Sequence, residues 1–225
     1  EALPGPTAPA VAGHSWGALI SFAAGVPDLV RPSGSGGGTG QVSEPSQRTL
    51  GALAAITAGF RDQYYGVAPH VVEAAEIDAA DLCVPAPGAS VPAAHRRWAA
   101  LVTVGLLDPL ECGWGRRPVR FARRRWNAPL VDLERLAHAA PELFRWAEGL
   151  LVPKLVVASQ TRVVEAAIDV DGWWWPSVPV VAVVPHRTED LWRALAVLSA
   201  PPVAALLAAD GAGSGMGRGT MRVSA

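Results

Sequence analysis

The stretch Pro153–Pro185, PKLVVASQTRVVEAAIDVDGWWWPSVPVVAVVP, alternates β-branched runs with turn residues, and that spacing ties the chain to a sheet-containing fold. Leu155–Val157 is a short apolar run behind Lys154. Arg162–Asp169 holds β-branched residues that can pair with it. Asp171-Gly172 signals a hairpin, because glycine takes positive φ without steric cost. Trp173, Trp174 and Trp175 follow, then the valine-rich Val178–Val184, so the segment predicts strand, strand, tight turn, strand. At strand alternation the tryptophans are expected to fill core rather than to stack on bases. Beyond Pro185, Thr188 is expected to cap a helix whose first turn holds Glu189 and Asp190. Leu191, Trp192, Leu195 and Leu198 predict the apolar face of that helix, which stops at Ser199-Ala200-Pro201-Pro202.

With half of its 225 residues hydrophobic, the chain can bury a sizeable core in one or two domains. Its formal net charge of -1 excludes a polycation, so nucleic-acid binding would have to come from local charge rather than from the sum. Arginine dominates the cations, and Lys154 is the only lysine. That bias suits bidentate recognition, and equally suits a GC-rich coding sequence. Cys83 and Cys112 are too few for a disulfide scaffold and form no zinc motif, which makes a reduced, cytoplasmic setting the default expectation. No apolar run is long enough to predict a membrane span, and no signal peptide is evident.

Residues 1–45 are expected to be a linker or tail joined to something upstream. They include a possible short helix at Trp16–Ala24 and the flexible run PSGSGGGTG. The organised domain is expected over 46–225. Ala52–Thr57 is read as a strand, Leu101–Gly105 as another, and Asp132–Leu151 as a helix interrupted by Pro141. Its apolar face is Leu133, Leu136, Ala140, Leu143, Trp146 and Leu150. A last helix is expected at Val203–Ala209.

Two local patterns could carry chemistry. Gly13-His14-Ser15-Trp16-Gly17 fits the G-x-S-x-G nucleophile elbow, which would make the chain a serine hydrolase. The elbow needs an earlier strand and an oxyanion loop, and only twelve Pro-rich residues precede it. A chance match in a chain with 23 glycines is the simpler reading. The run Gly34–Gly40 lacks the lysine of a phosphate loop and reads as linker. The strongest positive signal is basic. Arg96, Arg97, Arg116, Arg117, Arg120, Arg123, Arg124 and Arg125 crowd one segment against Asp108 and Glu111, with Trp98, Trp114, Phe121 and Trp126 interleaved. Such a cluster either lies along an anion such as DNA phosphate or forms a solvated surface paired with acids such as Asp132, Glu134 and Glu142.

Lys154, the Asp171-Gly172 turn, the Val178–Val184 strand, the helix ending at Ser199 and the opening LGALAAITAGFRDQYYG together resemble the C-terminal target-recognition domain of N6-adenine DNA methyltransferases of the TaqI-like, restriction-modification type. The similarity covers roughly Leu50 to Ala225 and departs at Ala200-Pro201-Pro202, where the family often has an Asn-Ser pair. It implies an α+β fold: a mixed β-sheet recognition domain with an arginine-rich insertion and C-terminal helices. It implies specific binding of duplex DNA, so that an adenine is presented for N6 methylation by a separate or upstream catalytic domain using S-adenosylmethionine. Arginines would hold phosphates, while Gln160, Thr161 and Arg162 would face bases, glutamine suiting adenine and arginine guanine. Arg61, Gln63, Tyr64 and Lys154 complete the expected DNA-binding set with the eight arginines above. The [DNS]PP[YFW] motif that holds a flipped adenine is missing: Asn127 is followed by Ala128-Pro129, and Ala200-Pro201-Pro202-Val203 lacks both the polar acceptor and the aromatic. A Gly-rich cofactor loop is missing too, so no catalytic residue is assigned. A protein-binding module remains the other alternative. The DNA reading requires that the guanidinium groups share one surface and stay unneutralised by the chain's own carboxylates.

Overall fold

The valine-rich runs build a four-stranded antiparallel sheet. In a computed structural model, residues 50–59, 61–82, 92, 95–161, 163–205 and 221–222 are described. Strands β1 (Ala54–Ala58), β9 (Lys154–Ala158), β11 (Ala166–Asp169) and β13 (Val180–Pro185) lie in the order β1-β13-β9-β11. Every residue of β9 is buried, because both faces of this first sheet are covered. Leu155 and Val157 point to one face with Val181, Val183 and the helix α5 (Asp190–Leu198), while Val156 and Ala158 point to the other. A run of consecutive apolar residues is what a doubly covered strand demands.

The second sheet runs in the order β12-β3-β8-β2, from β2 (Val71–Glu73), β3 (Trp98–Val102), β8 (Pro129–Asp132) and β12 (Trp174–Pro176). Leu101, Val102 and Val131 from this sheet join Val156, Ala158, Val180 and Trp175 in the main core. Trp98, Ala100, Leu130 and Trp173 form a smaller cluster. Two short helices lie against the main core: α3 (Leu133–Ala139), capped by Asp132, which accepts from Arg135 N at 2.9 Å, and α4 (Pro141–Glu148), which Pro141 opens. The expected helix from 132 to 151 is therefore two helices, broken at the proline, with Asp132 still in β8. The arrangement is α+β, as expected.

Four expectations are corrected. Asp171-Gly172 is a tight turn with Gly172 at φ +65°, but no hairpin: β12 leaves the first sheet and pairs in parallel with β3, Trp174 opposite Ala100. Burying Trp173 and Trp175 is the physical reason, since an edge hairpin would leave the tryptophans in solvent; they are 8% and 1% exposed. Second, β11 begins at Ala166, and the segment 52–57 splits into α1 (Leu50–Leu53) and β1. Third, Thr188 provides no side-chain cap for α5, because the turn before it is closed through backbone, Leu191 N donating to Thr188 O at 3.2 Å. Fourth, Trp192 faces outward at 65% exposure, while Leu191, Leu195 and Leu198 are buried as expected. One strand pair went unforeseen: β10 (Gln160–Thr161) pairs antiparallel with β14 (Met221–Arg222) near the end of the chain. The segment 1–45, the GHSWG motif, the glycine run, Cys83 and Arg162 lie outside the described residues, and residues 201–205 are the described part of the last helix.

The bend between the two sheets is a polar joint inside the protein. Lys154 and Asp169 face each other across β9 and β11, and the Lys154 ammonium donates to Asp169 Oδ2 with both side chains buried. The same carboxylate accepts from Trp173 N at 2.9 Å and Trp174 N at 2.8 Å. From the other side the Arg96 guanidinium donates to Gly172 O at 2.5 Å and Asp171 O at 2.7 Å. Burial pushes the Lys154 ammonium below the ordinary lysine range, and Asp169 opposes that shift. A Cβ on Gly172 would stand 2.6 Å from the backbone of Val152, so this position needs glycine for space as well as for φ.

Candidate nucleic-acid interface

After the short antiparallel pair β4 (Leu107–Asp108) and β5 (Glu111–Cys112), the arginine-rich insertion forms a hairpin of β6 (Val119–Phe121) and β7 (Arg124–Trp126), with Phe121 opposite Arg124. Two residues close it, Ala122 at φ 48° and Arg123 at φ 64°. Both lie in the left-handed region, the geometry of the type I′ turn that suits the twist of a two-residue hairpin. Asn-Gly is the usual occupant of such a turn; Ala and Arg each carry a backbone cost of about 1 kcal/mol there.

Alternation sorts the side chains. Val119, Phe121 and Trp126 turn inward and are buried. Trp126 Nε1 donates to Phe121 O at 3.0 Å across the hairpin. Arg124 shares that inner face, lies 4.1 Å over the Trp126 ring and pairs with Glu76 at 2.8 Å. Arg120 and Arg125 stand directly opposite each other on the outer face, and Arg123 projects from the tip. With Pro118 and Val119 these three arginines line an open cleft of about 560 Å³. Among the described residues none of the three side chains has an ion pair or a hydrogen bond. Like charges directly opposite on a strand pair repel unless water or an anion lies between them.

The remaining candidates are placed differently. Arg97 lies 3.6 Å from Asp81 and 3.9 Å from Glu134, over the Trp98 ring. Arg116 pairs with Glu111 and donates to Cys112 O at 2.7 Å; Arg117 pairs with Asp108 at 2.7 Å. The condition that all eight arginines stay unneutralised is thus not met: Arg97, Arg116, Arg117 and Arg124 are tied to carboxylates of the same chain. These are half-exposed pairs worth little each, but they remove the charges from a free anion surface. Arg96 is held in the polar joint, and Lys154, wholly buried, is out of reach of any outside partner. The interleaved aromatics are core rather than stacking platforms: Trp98, Phe121 and Trp126 are buried, and Trp114 Nε1 donates to Pro129 O at 2.8 Å.

Comparison with protein-family models and with curated proteins finds nothing that matches this chain. The site therefore stands on its own geometry.

From α2 (Arg61–Val67), Arg61 lies over the Tyr65 ring at 5.3 Å, and Gln63 is half-buried and engaged by neighbours. Tyr64 turns to the hairpin: its hydroxyl accepts from Ala122 N at 2.9 Å, and its ring packs on Phe121 at 4.8 Å. Gln160 lies in β10, paired by its backbone with Arg222. Among the described residues the arginine cleft is lined from 118–125, with none of the polar residues of α2 in it. Glu73, missed by sequence reading, anchors the base of the insertion by accepting from Asn127 N at 2.8 Å and Ala128 N at 2.6 Å. Burial pushes the Cys112 thiol up to about 11, which makes it a poor nucleophile. Among the described residues there is no His/Cys/Asp/Glu group that could hold a metal, and no helix long and apolar enough to cross a membrane.

Proposed function

We propose that this chain binds duplex DNA, with the outer face of the β6–β7 hairpin on the phosphate backbone, as the specificity part of an adenine-N6 methyltransferase whose catalytic groups lie elsewhere. The observation that carries the binding is the group Arg120, Arg123 and Arg125, three guanidinium groups on one short ribbon without carboxylate partners among the described residues. The cleft offers donors and no acceptors, apart from backbone. Its natural partner is therefore a row of acceptor oxygens, which phosphodiesters supply. The methylation role and S-adenosylmethionine as the cofactor of the partner domain follow from the family resemblance, and a cytoplasmic setting from the scarcity of cysteine. Restriction of the grip to three arginines narrows the earlier expectation, and base reading is left to polar residues outside the cleft.

The test is a titration of a labelled duplex across a salt series. Each lost phosphate contact lowers the slope of log K against log salt by about 0.9, so Arg120→Ala/Arg123→Ala/Arg125→Ala is expected to lower it by roughly 2–3. An unchanged slope would remove the hairpin from the interface. Selection from a randomised duplex pool tests specificity, and enrichment of one sequence is the expected result. Turnover of an ester substrate that disappears with Ser15→Ala would favour the hydrolase instead.

A further inference from the structure

We infer that Tyr64 is the positioning residue of the arginine grip, fixing the strained tip that carries Arg123. The inference rests on the hairpin being the DNA-facing surface and deepens that reading. Ala122 and Arg123 hold left-handed backbone at φ 48° and 64° without glycine at either place. Such a conformation persists only where neighbours over-determine it. Among the described residues one side chain is hydrogen-bonded to this turn. Ala122 N donates to the Tyr64 hydroxyl at 2.9 Å, and the Tyr64 ring packs on Phe121, the last residue of β6. Tyr65 meets the Tyr64 ring edge-on at 5.3 Å, fixing it from the helix side. Trp126 Nε1, donating to Phe121 O, closes the ribbon below the tip but leaves the two turn residues free. A tyrosine on α2, 58 residues away in sequence, is thus the side chain whose hydrogen bond meets the turn itself. Arg123 projects from that turn, so its direction depends on Ala122 staying where Tyr64 holds it. Arg120 and Arg125 sit on the paired strands and keep their places by register.

The experiment uses the full chain with Tyr64→Phe, which keeps the ring and removes the hydroxyl, and the double variant Tyr64→Phe/Ala122→Gly, in which glycine accepts the turn without steric cost. Thermal melts confirm that both fold. Hydrogen exchange over residues 119–126 is expected to speed in Tyr64→Phe and to slow again in the double variant. Duplex binding is expected to weaken roughly tenfold in Tyr64→Phe, with the salt slope lower by about one phosphate contact, and to recover with Ala122→Gly. A purely structural tyrosine would move the melt and leave the salt slope alone. Unchanged exchange across the hairpin, or an unchanged slope in a chain that binds DNA, overturns the inference. If wild-type protein binds no duplex, the DNA reading falls, and the exchange comparison still decides whether Tyr64 holds the tip.

Discussion

Among the described turns that use left-handed backbone, two are stabilised in opposite ways. The turn at Asp171-Gly172 is internal, has glycine where φ is positive, and has its peptide groups met on both sides, by the Asp169 carboxylate and by the Arg96 guanidinium. The turn at Ala122-Arg123 is at the surface, has no glycine, and is held by one hydroxyl. The first joins the two sheets and leaves no room for a Cβ at Gly172. The second holds a charged side chain outward at a conformational cost. Exchange between glycine and alanine should therefore cost much at one turn and gain a little at the other, and that opposition is open to experiment.

Gly172→Ala is expected to have the largest effect, destabilising by about 4 kcal/mol, because overpacking and left-handed strain add at one place. Urea titration measures it, and a loss below 1 kcal/mol would mean that the turn can shift away from Val152. Lys154→Met follows at about 3 kcal/mol, since it leaves Asp169 buried with only backbone donors. Adding Asp169→Asn to that variant should recover part of the loss, and strict additivity of the two would deny their coupling. The same pair predicts a pH signature. With the folded pKa of Lys154 below the ordinary lysine value of 10.5, the unfolded chain binds more protons between the two values. This group's contribution to stability therefore grows as pH rises through that window. The difference between wild-type and Lys154→Met stability curves should show the rise, and a fall would mean that Asp169 outweighs burial.

Much of the first sheet could be read from sequence, because β9 and β13 are continuous apolar runs that only a doubly covered strand explains. The joint beside them could not. A lysine opening a strand gives no sign of being buried; that depends on Asp169 arriving opposite it in register. The departure of β12 was hidden for a similar reason, since its partner β3 lies more than 70 residues back and the local Asp-Gly signal is the same for a hairpin and for a crossing. Among the arginines, Asp108 and Glu111 were visible beside Arg116 and Arg117, but Glu76 reaches Arg124 across 48 residues. Strand alternation separated Arg120 and Arg125 from Arg124 only once the turn at 122–123 was known.

Arg96→Met should cost about 1–2 kcal/mol, because the carbonyls of Asp171 and Gly172 lose their charged donor. The smallest effect is expected at the surface turn, where Ala122→Gly should stabilise by about 0.5–1 kcal/mol in thermal melts, opposite in sign to Gly172→Ala. A destabilising Ala122→Gly would show that the surface turn carries no strain to relieve.

Strand β13, late in the chain, has β1 on one side and β9 on the other. Both neighbours are synthesised before it and have no direct pairing with each other. On the ribosome, the first sheet must wait with a vacant centre until residues 180–185 emerge. Fragments ending before that point should collect as open-edged chains rather than as a shorter version of the same protein.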